Sequence, residues 1–421
     1  MEEPILSEQP MVPANFNPPE TSRAFSAMRH RNFQLYFGGQ LISNIGTWMQ
    51  IIAQSWLVYQ IGHSEITLGW VAFAGALPML VVSPFAGVVV DRFSRQKLLI
   101  MTQTGAMLLA FILAYLSFSN IVKEWHIIVL ASFMGLVNAF DAPARQSFVP
   151  EMVGKEDLPN AIALNSIMFN SSRVIGPAIG GLLLVIFGAA WCFTINGISF
   201  IAVIIGLLLM KLPNLPRHTY SGSHFEQLVD GIRYTVHDHE MFALILIALV
   251  FSVFGMSYTT ILPAFVEKNL GMGSMAYGWL NALTGLGAVA GAYLVARGFG
   301  SRNRGKWLII ANFSFAILML IFGFMTSFPV TLILAVGLGL CFIIQFTTIN
   351  TLLQLRVEDK YRGQVMALYS ITFFGFAPFG NLAIGFLGQN INLRFAIMVF
   401  GLLLLLFSAI IISRTPKIRS I

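Results

Sequence analysis

Twelve apolar stretches dominate this chain and leave it few ways to fold. They lie near 33–59, 66–90, 98–118, 126–149, 161–187 and 190–210. After a polar interval from Lys211 to Glu240, six more lie near 241–265, 276–297, 307–326, 329–354, 364–388 and 393–412. Each is close to the ~20 residues a helix needs to cross the hydrocarbon of a bilayer. Hydrocarbon offers no hydrogen bonds, so such segments satisfy their backbone internally as helices. Charged residues make up 10% of the chain, well below the ~25% of a soluble domain. The expected fold class is therefore an all-α membrane protein with twelve transmembrane helices.

Lysine and arginine set the topology. Of 25 such residues, 21 fall on one side, in the tails and every second loop; Lys123, Lys268 and Arg394 fall on the other, and Arg173 lies within a span. By the positive-inside rule both termini are cytoplasmic. The formal charge of +7 thus reports membrane topology and does not call for a nucleic-acid partner. Residues 1–22 are acidic and proline-rich, lack the apolar core of a secretory signal, and read as a cytoplasmic tail. Cys192 and Cys341 both lie in apolar runs and imply no disulfide framework.

The halves repeat. Gly69-Trp70 matches Gly278-Trp279, and Arg95, Lys97, Leu99 and Ile100 match Arg304, Lys306, Leu308 and Ile309; Ala163, Leu164 and Ser166 match Ala367, Leu368 and Ser370. Repeats of this kind characterise carriers that bind their cargo between two halves. The expected division is a cytoplasmic N-terminal tail (1–32), a six-helix bundle (33–210), a cytoplasmic linker with an amphipathic helix (211–240), a second, pseudo-symmetric six-helix bundle (241–412) and a cytoplasmic tail (413–421). In the linker, Phe225, Leu228, Val229, Ile232 and Val236 share one face, as in a helix lying on a membrane surface.

Three motifs carry a resemblance. After the second span, Gly87 is followed by Asp91, Arg92, Arg95 and Lys97, with Ser94 and Gln96 as departures. This resembles the loop 2–3 signature of the major facilitator superfamily. In the fifth span, Gly176-Pro177 and Gly180-Gly181 look like the end of the motif of that superfamily's export-directed members, with Ser172 in place of a glycine. Asn138, Asp141, Pro143, Arg145, Gln146, Pro150 and Glu151, with Arg362-Gly363 and Met366, resemble the enterobactin-exporter-like branch, which includes siderophore and macrolide exporters. The resemblance spans residues 24 to about 412. It implies a twelve-helix carrier in the bacterial inner membrane, acting as a monomer without a cofactor and exporting a small organic molecule against a proton gradient. Gly87, Asp91, Arg92, Arg95, Gly176, Pro177, Gly180 and Gly181 would form its conformational gate. Asp91 can pair with arginines and helix N-termini to latch one state; small residues let helices approach closely.

Polar side chains within spans face a cavity or one another. Gln40, Ser43, Asn44, Thr47, Gln50 and Gln54 fall on one face of the first helix, about 120° wide. Ser166, Asn170, Arg173 and Pro177 share a face of the fifth, and Asn138, Asp141 and Arg145 a face of the fourth. Of eighteen acidic residues, only Asp141 falls well inside a span. Asp141 is the candidate proton carrier, switching between Arg145 and Arg173; the alternative is a fixed Asp141–Arg145 pair that stiffens the cytoplasmic gate. In the second half, Asn350 and Gln354, with Thr347 and Thr351, and Tyr369 and Phe373 on the next helix, are expected to line the cavity; aromatic faces stack on flat ligands. The series from Gly300 to Lys306 mimics a phosphate loop, but Trp307 stands where Ser or Thr should hold magnesium. No metal ligand set or nucleophile–base pair stands out, so an enzyme is not expected. Import, lipid flipping, or a non-transporting scaffold or sensor are the alternative functions.

Overall fold

The computed structural model describes residues 25–154, 156–210, 224–298, 303–358 and 360–420, apart from the side chains of 83–85, 87–89, 91–92, 224–230 and 420. All its regular structure is helical. The first half comprises α1 (Arg31–Gly62), α2 (Glu65–Arg92), α3 (Arg95–Phe118), α4 (Glu124–Val153), α5 (Leu158–Ile186) and α6 (Ala189–Leu208). A linker helix α7 (His224–His237) precedes the second half: α8 (His239–Val250), α9 (Leu262–Leu270), α10 (Ser274–Ala296), α11 (Arg304–Phe324), α12 (Phe328–Arg356), α13 (Arg362–Gly375), α14 (Ala377–Asn390) and α15 (Leu393–Arg414). Among the described residues, 11 segments are long and apolar enough to cross a bilayer. The expected span missing from that set is α1. At 32 residues it has the length, but its polar stripe lowers its hydropathy. It packs on α5 and α6 and turns its stripe inward, so lipid need not solvate those side chains.

Two of the second half's spans are broken. Between α8 and α9 lie a π-turn (Phe251–Gly255) and a 3-10 turn (Ser257–Thr259). Between α13 and α14 the chain breaks at Phe376, with Pro378 in the first turn of α14, where a missing N–H costs nothing. The breaks meet. Ser252 Oγ donates to the Phe373 carbonyl at 2.5 Å, satisfying an acceptor near the end of α13. Irregular backbone at membrane depth needs such partners.

The halves join through α2 against α14 and α5 against α10. These contacts concentrate at the end away from the chain termini. A Cβ on Gly69 would lie 2.9 Å from the Asn381 carbonyl oxygen, and one on Gly181 would lie 2.9 Å from the Gly278 Cα. Ion pairs divide the same way. At the termini end, His30–Asp157, Arg95–Glu151, Arg356–Asp238 and Arg356–Glu240 each join residues of one half; at the other end, Glu65–Lys268 and His63–Glu267 cross between halves. Among the described residues, the bundle is latched at one end and open at the other.

The described part of the linker braces the second half. Gly231 of α7 packs on Gln364, and Tyr234 stacks on Tyr361 with ring centroids 4.3 Å apart. Ile232 and Val236 point outward. The side chains of Phe225, Leu228 and Val229, and residues 211–223, lie outside the described residues.

Candidate substrate site between the two halves

A cavity of about 1260 Å³ lies between the halves, walled mainly by α1, α4 and α5 and completed from the second half by Met256, Thr259, Thr260, Tyr277, Asn281 and Thr284. The polar stripe of α1 faces it: Gln40, Asn44, Thr47, Gln50 and Gln54 are all on the wall, with Asn138 of α4. Part of the stripe is fixed. Gln40 Nε2 donates to Asn44 Oδ1 at 3.0 Å, and Gln50 Oε1 accepts from Asn196 Nδ2 at 2.7 Å.

Asp141 lies deep in α4 and is 7% exposed. Its Oδ1 accepts from Thr102 Oγ1 at 2.8 Å and from Gln103 Nε2 at 2.7 Å, and its Oδ2 accepts from Arg145 through Nε at 3.0 Å and through a second guanidinium nitrogen. The two carboxylate oxygens thus meet four donors, which fix the side chain in place. Arg173 takes no part. Its guanidinium lies over the rings of Trp48 and Phe342, and among the described residues it makes no ion pair. The structure therefore shows the fixed Asp141–Arg145 pair, and Arg173 stands apart from it.

Other expected wall residues lie elsewhere. Tyr369 and Phe373 are buried in an aromatic cluster with Phe346, and the Tyr369 hydroxyl donates to the Phe346 carbonyl at 3.2 Å. Asn350 and Gln354 bond each other at 2.6 Å near the open end of α12, off the cavity wall. Asn170 turns back to the Ser166 carbonyl at 2.8 Å and is also off the wall. Helical spacing identifies a face but not what covers it: the second half closes its aromatic face against its own helices. Of the expected gate, Gly176 and Gly180 pack against α1 and Gly181 against α10, with Pro177 on the wall. Arg95 pairs with Glu151 within the first half. The side chains of Asp91 and Arg92, and the surroundings of Gly87, lie outside the described residues.

The latch at the closed end escaped the sequence reading. Glu65 is 1% exposed and accepts from Lys268 Nζ at 2.7 Å. Its backbone N–H donates to Gln389 Oε1 at 2.8 Å, and Gln60 Nε2 donates to Glu267 at 2.5 Å. One signal was present: Lys268 is among the three basic residues on the otherwise bare side. The pair is asymmetric, since the Lys268 side chain is 48% exposed. Removing the lysine strands a buried carboxylate, whereas removing the carboxylate frees a solvated ammonium. Lys268→Met is therefore expected to open this end more than Glu65→Gln, read as faster labelling of cysteines placed along it. Burial pulls the Lys268 pKa down, but the Glu65 hydrogen bond and charge outweigh this and hold it above the ordinary lysine value. A raised cationic pKa stabilises fully below the unpaired value, about 10.4, and is lost as pH rises past the raised one. Labelling should thus be insensitive to lysine titration below about pH 9.

Residues 22–420 match the family model described as transmembrane secretion effector. The chain belongs to that family, a branch of the major facilitator transporters, and is a carrier rather than an enzyme. Relatives include the staphyloferrin A transporter of Staphylococcus aureus (strain NCTC 8325 / PS 47), 26% identical over 82% of this chain and 87% of that one. The multidrug efflux pump Tap of Mycolicibacterium fortuitum is 24% identical over 90% and 95%, and the enterobactin exporter EntS of Escherichia coli O81 (strain ED1a) is 24% identical over 85% of each chain. Among solved structures, a bacterial homolog of the human lysosomal transporter Spinster, in an inward-facing and unoccupied conformation, aligns with a TM-score of 0.69 at 14% identity, covering 95% of this chain and 99% of that one. A POT family transporter aligns at 0.75 and 10% identity, over 92% and 96%.

Proposed function

We propose that this protein exports a small organic molecule, a siderophore or an amphiphilic drug, across the bacterial inner membrane by proton-coupled alternating access. The observation that carries this reading is the cavity between the halves, latched at one end and open at the end bearing the termini. The 21-to-3 distribution of Lys and Arg supports placing that open end, and both termini, in the cytoplasm. Export then begins with loading from the cytoplasm into the amide-lined wall. Breaking the Glu65–Lys268 latch would release the cargo on the far side. The gate glycines, with the Gly87, Asp91 and Arg92 loop, would act at the two ends. Asp141 is the candidate proton acceptor, as the one carboxylate on the wall among the described residues; protonation requires it to release Arg145. The chain acts as a monomer in this scheme, each half serving as the other's partner. The names of the staphyloferrin A and enterobactin relatives favour a siderophore, and that of Tap a drug.

Mass spectrometry of the medium from iron-starved cells with and without the gene tests the reading. An iron-chelating compound that disappears from the medium and accumulates inside the deleted cells is the expected result. Unchanged media together with unchanged sensitivity to toxic amphiphiles would refute export.

A further inference from the structure

The cavity wall carries three charged side chains among the described residues, Asp141, Arg145 and Arg173. Asp141 and Arg145 neutralise each other. Two arginines against one aspartate leave a net charge of +1, and it resides on Arg173. This guanidinium lies near the middle of α5, 5.8 Å from the Trp48 ring centre on α1 and 5.1 Å from that of Phe342 on α12. It therefore bridges the two halves. The turn of α5 that carries it is pressed against α10, where a Cβ on Gly285 would lie 3.0 Å from the Arg173 carbonyl oxygen. Among the described residues, Tyr258 is the one titratable group that interacts electrostatically with it; a phenol is neutral at ordinary pH.

Ring faces compensate a cation only weakly. A charge at membrane depth with no fixed counterion requires water or an anionic ligand. The planar fork of an arginine matches a carboxylate bidentately, and the flanking rings exclude water that would weaken that contact. On the same wall, Gln40 Oε1 and Asn165 Oδ1 are buried without a hydrogen-bond partner. They can accept from donors on a bound molecule.

We propose that Arg173 is the substrate anchor of this carrier and that the cargo is an organic carboxylate, with hydroxyl or amide donors that reach the unpartnered amide oxygens. A ligand on Arg173 would bind a guanidinium that itself rests on Trp48 of α1 and Phe342 of α12, so it acts where the two halves meet. The inference rests on the cavity being the carrier site and is independent of the direction of transport.

The test uses the purified full-length chain in lipid nanodiscs and isothermal titration with citrate, its uncharged trimethyl ester and inorganic phosphate. Citrate should bind at least about tenfold more tightly than either comparison compound. Arg173→Gln should lose that preference, and Arg173→Lys, which keeps the charge without the fork, should keep part of it. Thermal unfolding of each variant checks that it is folded. Ester or phosphate binding as well as citrate overturns the proposal. So does unchanged citrate binding by folded Arg173→Gln, or no saturable citrate binding by the parent at millimolar concentration. The comparison of media reads export and this titration reads recognition, so either result can fail without the other.

Discussion

Replacing Asp141 with Asn is expected to cost about 3 kcal/mol of stability and to abolish uphill transport. Removing one partner of a buried ion pair typically costs about 3–5 kcal/mol, because the other charge is left uncompensated. The lower end applies here because the Arg145 side chain retains 24% exposure to the cavity. Thr102 and Gln103 can still bond an amide at that position, so the loss falls mainly on Arg145. Removing both charges tells stability from coupling. Asp141→Asn with Arg145→Gln should return stability to within about 1 kcal/mol of the parent, since a buried pair contributes little net against a neutral replacement. Thermal unfolding of the purified chain measures this. If Asp141 also carries the proton, the stable double variant still fails to concentrate substrate against a gradient in proteoliposomes, although it equilibrates it. Proton-driven accumulation by the double variant would reduce Asp141 to a structural partner.

Much of this was legible in the sequence because a bilayer imposes strong rules. Hydropathy located most of the helices to within a few residues. The α1 stripe was legible because six polar residues on one face have no place in lipid. The Asp141–Arg145 pair was legible as a spacing of four on a helix. Contacts between separate helices were not. Nothing in the periodicity of α12 and α13 says that Tyr369 and Phe373 pack on Phe346 rather than face the cavity. Nor does spacing show that Arg173 meets Phe342 across the molecule, or that Thr102 and Gln103 of α3 complete the shell of Asp141. The broken seventh span read as one continuous run because its residues remain apolar through the π-turn. The Glu65–Lys268 latch joins two loop-proximal residues about two hundred positions apart, a pairing that only the assembled halves create.

The tightest test of alternating access is steric. At the closed end α5 and α10 touch backbone to backbone: a Cβ on Gly278 would lie 2.7 Å from the Gly181 Cα and 2.8 Å from the Pro177 carbonyl oxygen. No side chain can rotate aside there, so an added methyl group must push the helices apart. Overpacking of this kind costs about 1–3 kcal/mol, and here it falls only on the state in which the helices touch. A differential of that size shifts the population about 5–150-fold toward the opposite state. Gly181→Ala should give the lower end of that range and Gly181→Val the upper. Spin labels on cysteines replacing Asn120 and Met272, in closed-end loops of the two halves, report the change as a lengthened distance. The native cysteines are buried and interfere little. Gly38→Ala is the control, since a Cβ there meets nothing within 4 Å. If the protein exports as proposed, export should fall at least about tenfold in Gly181→Val, because a carrier held open on the far side cannot load from the cytoplasm. An unchanged distance with normal export would mean that the α5–α10 contact is no part of the cycle.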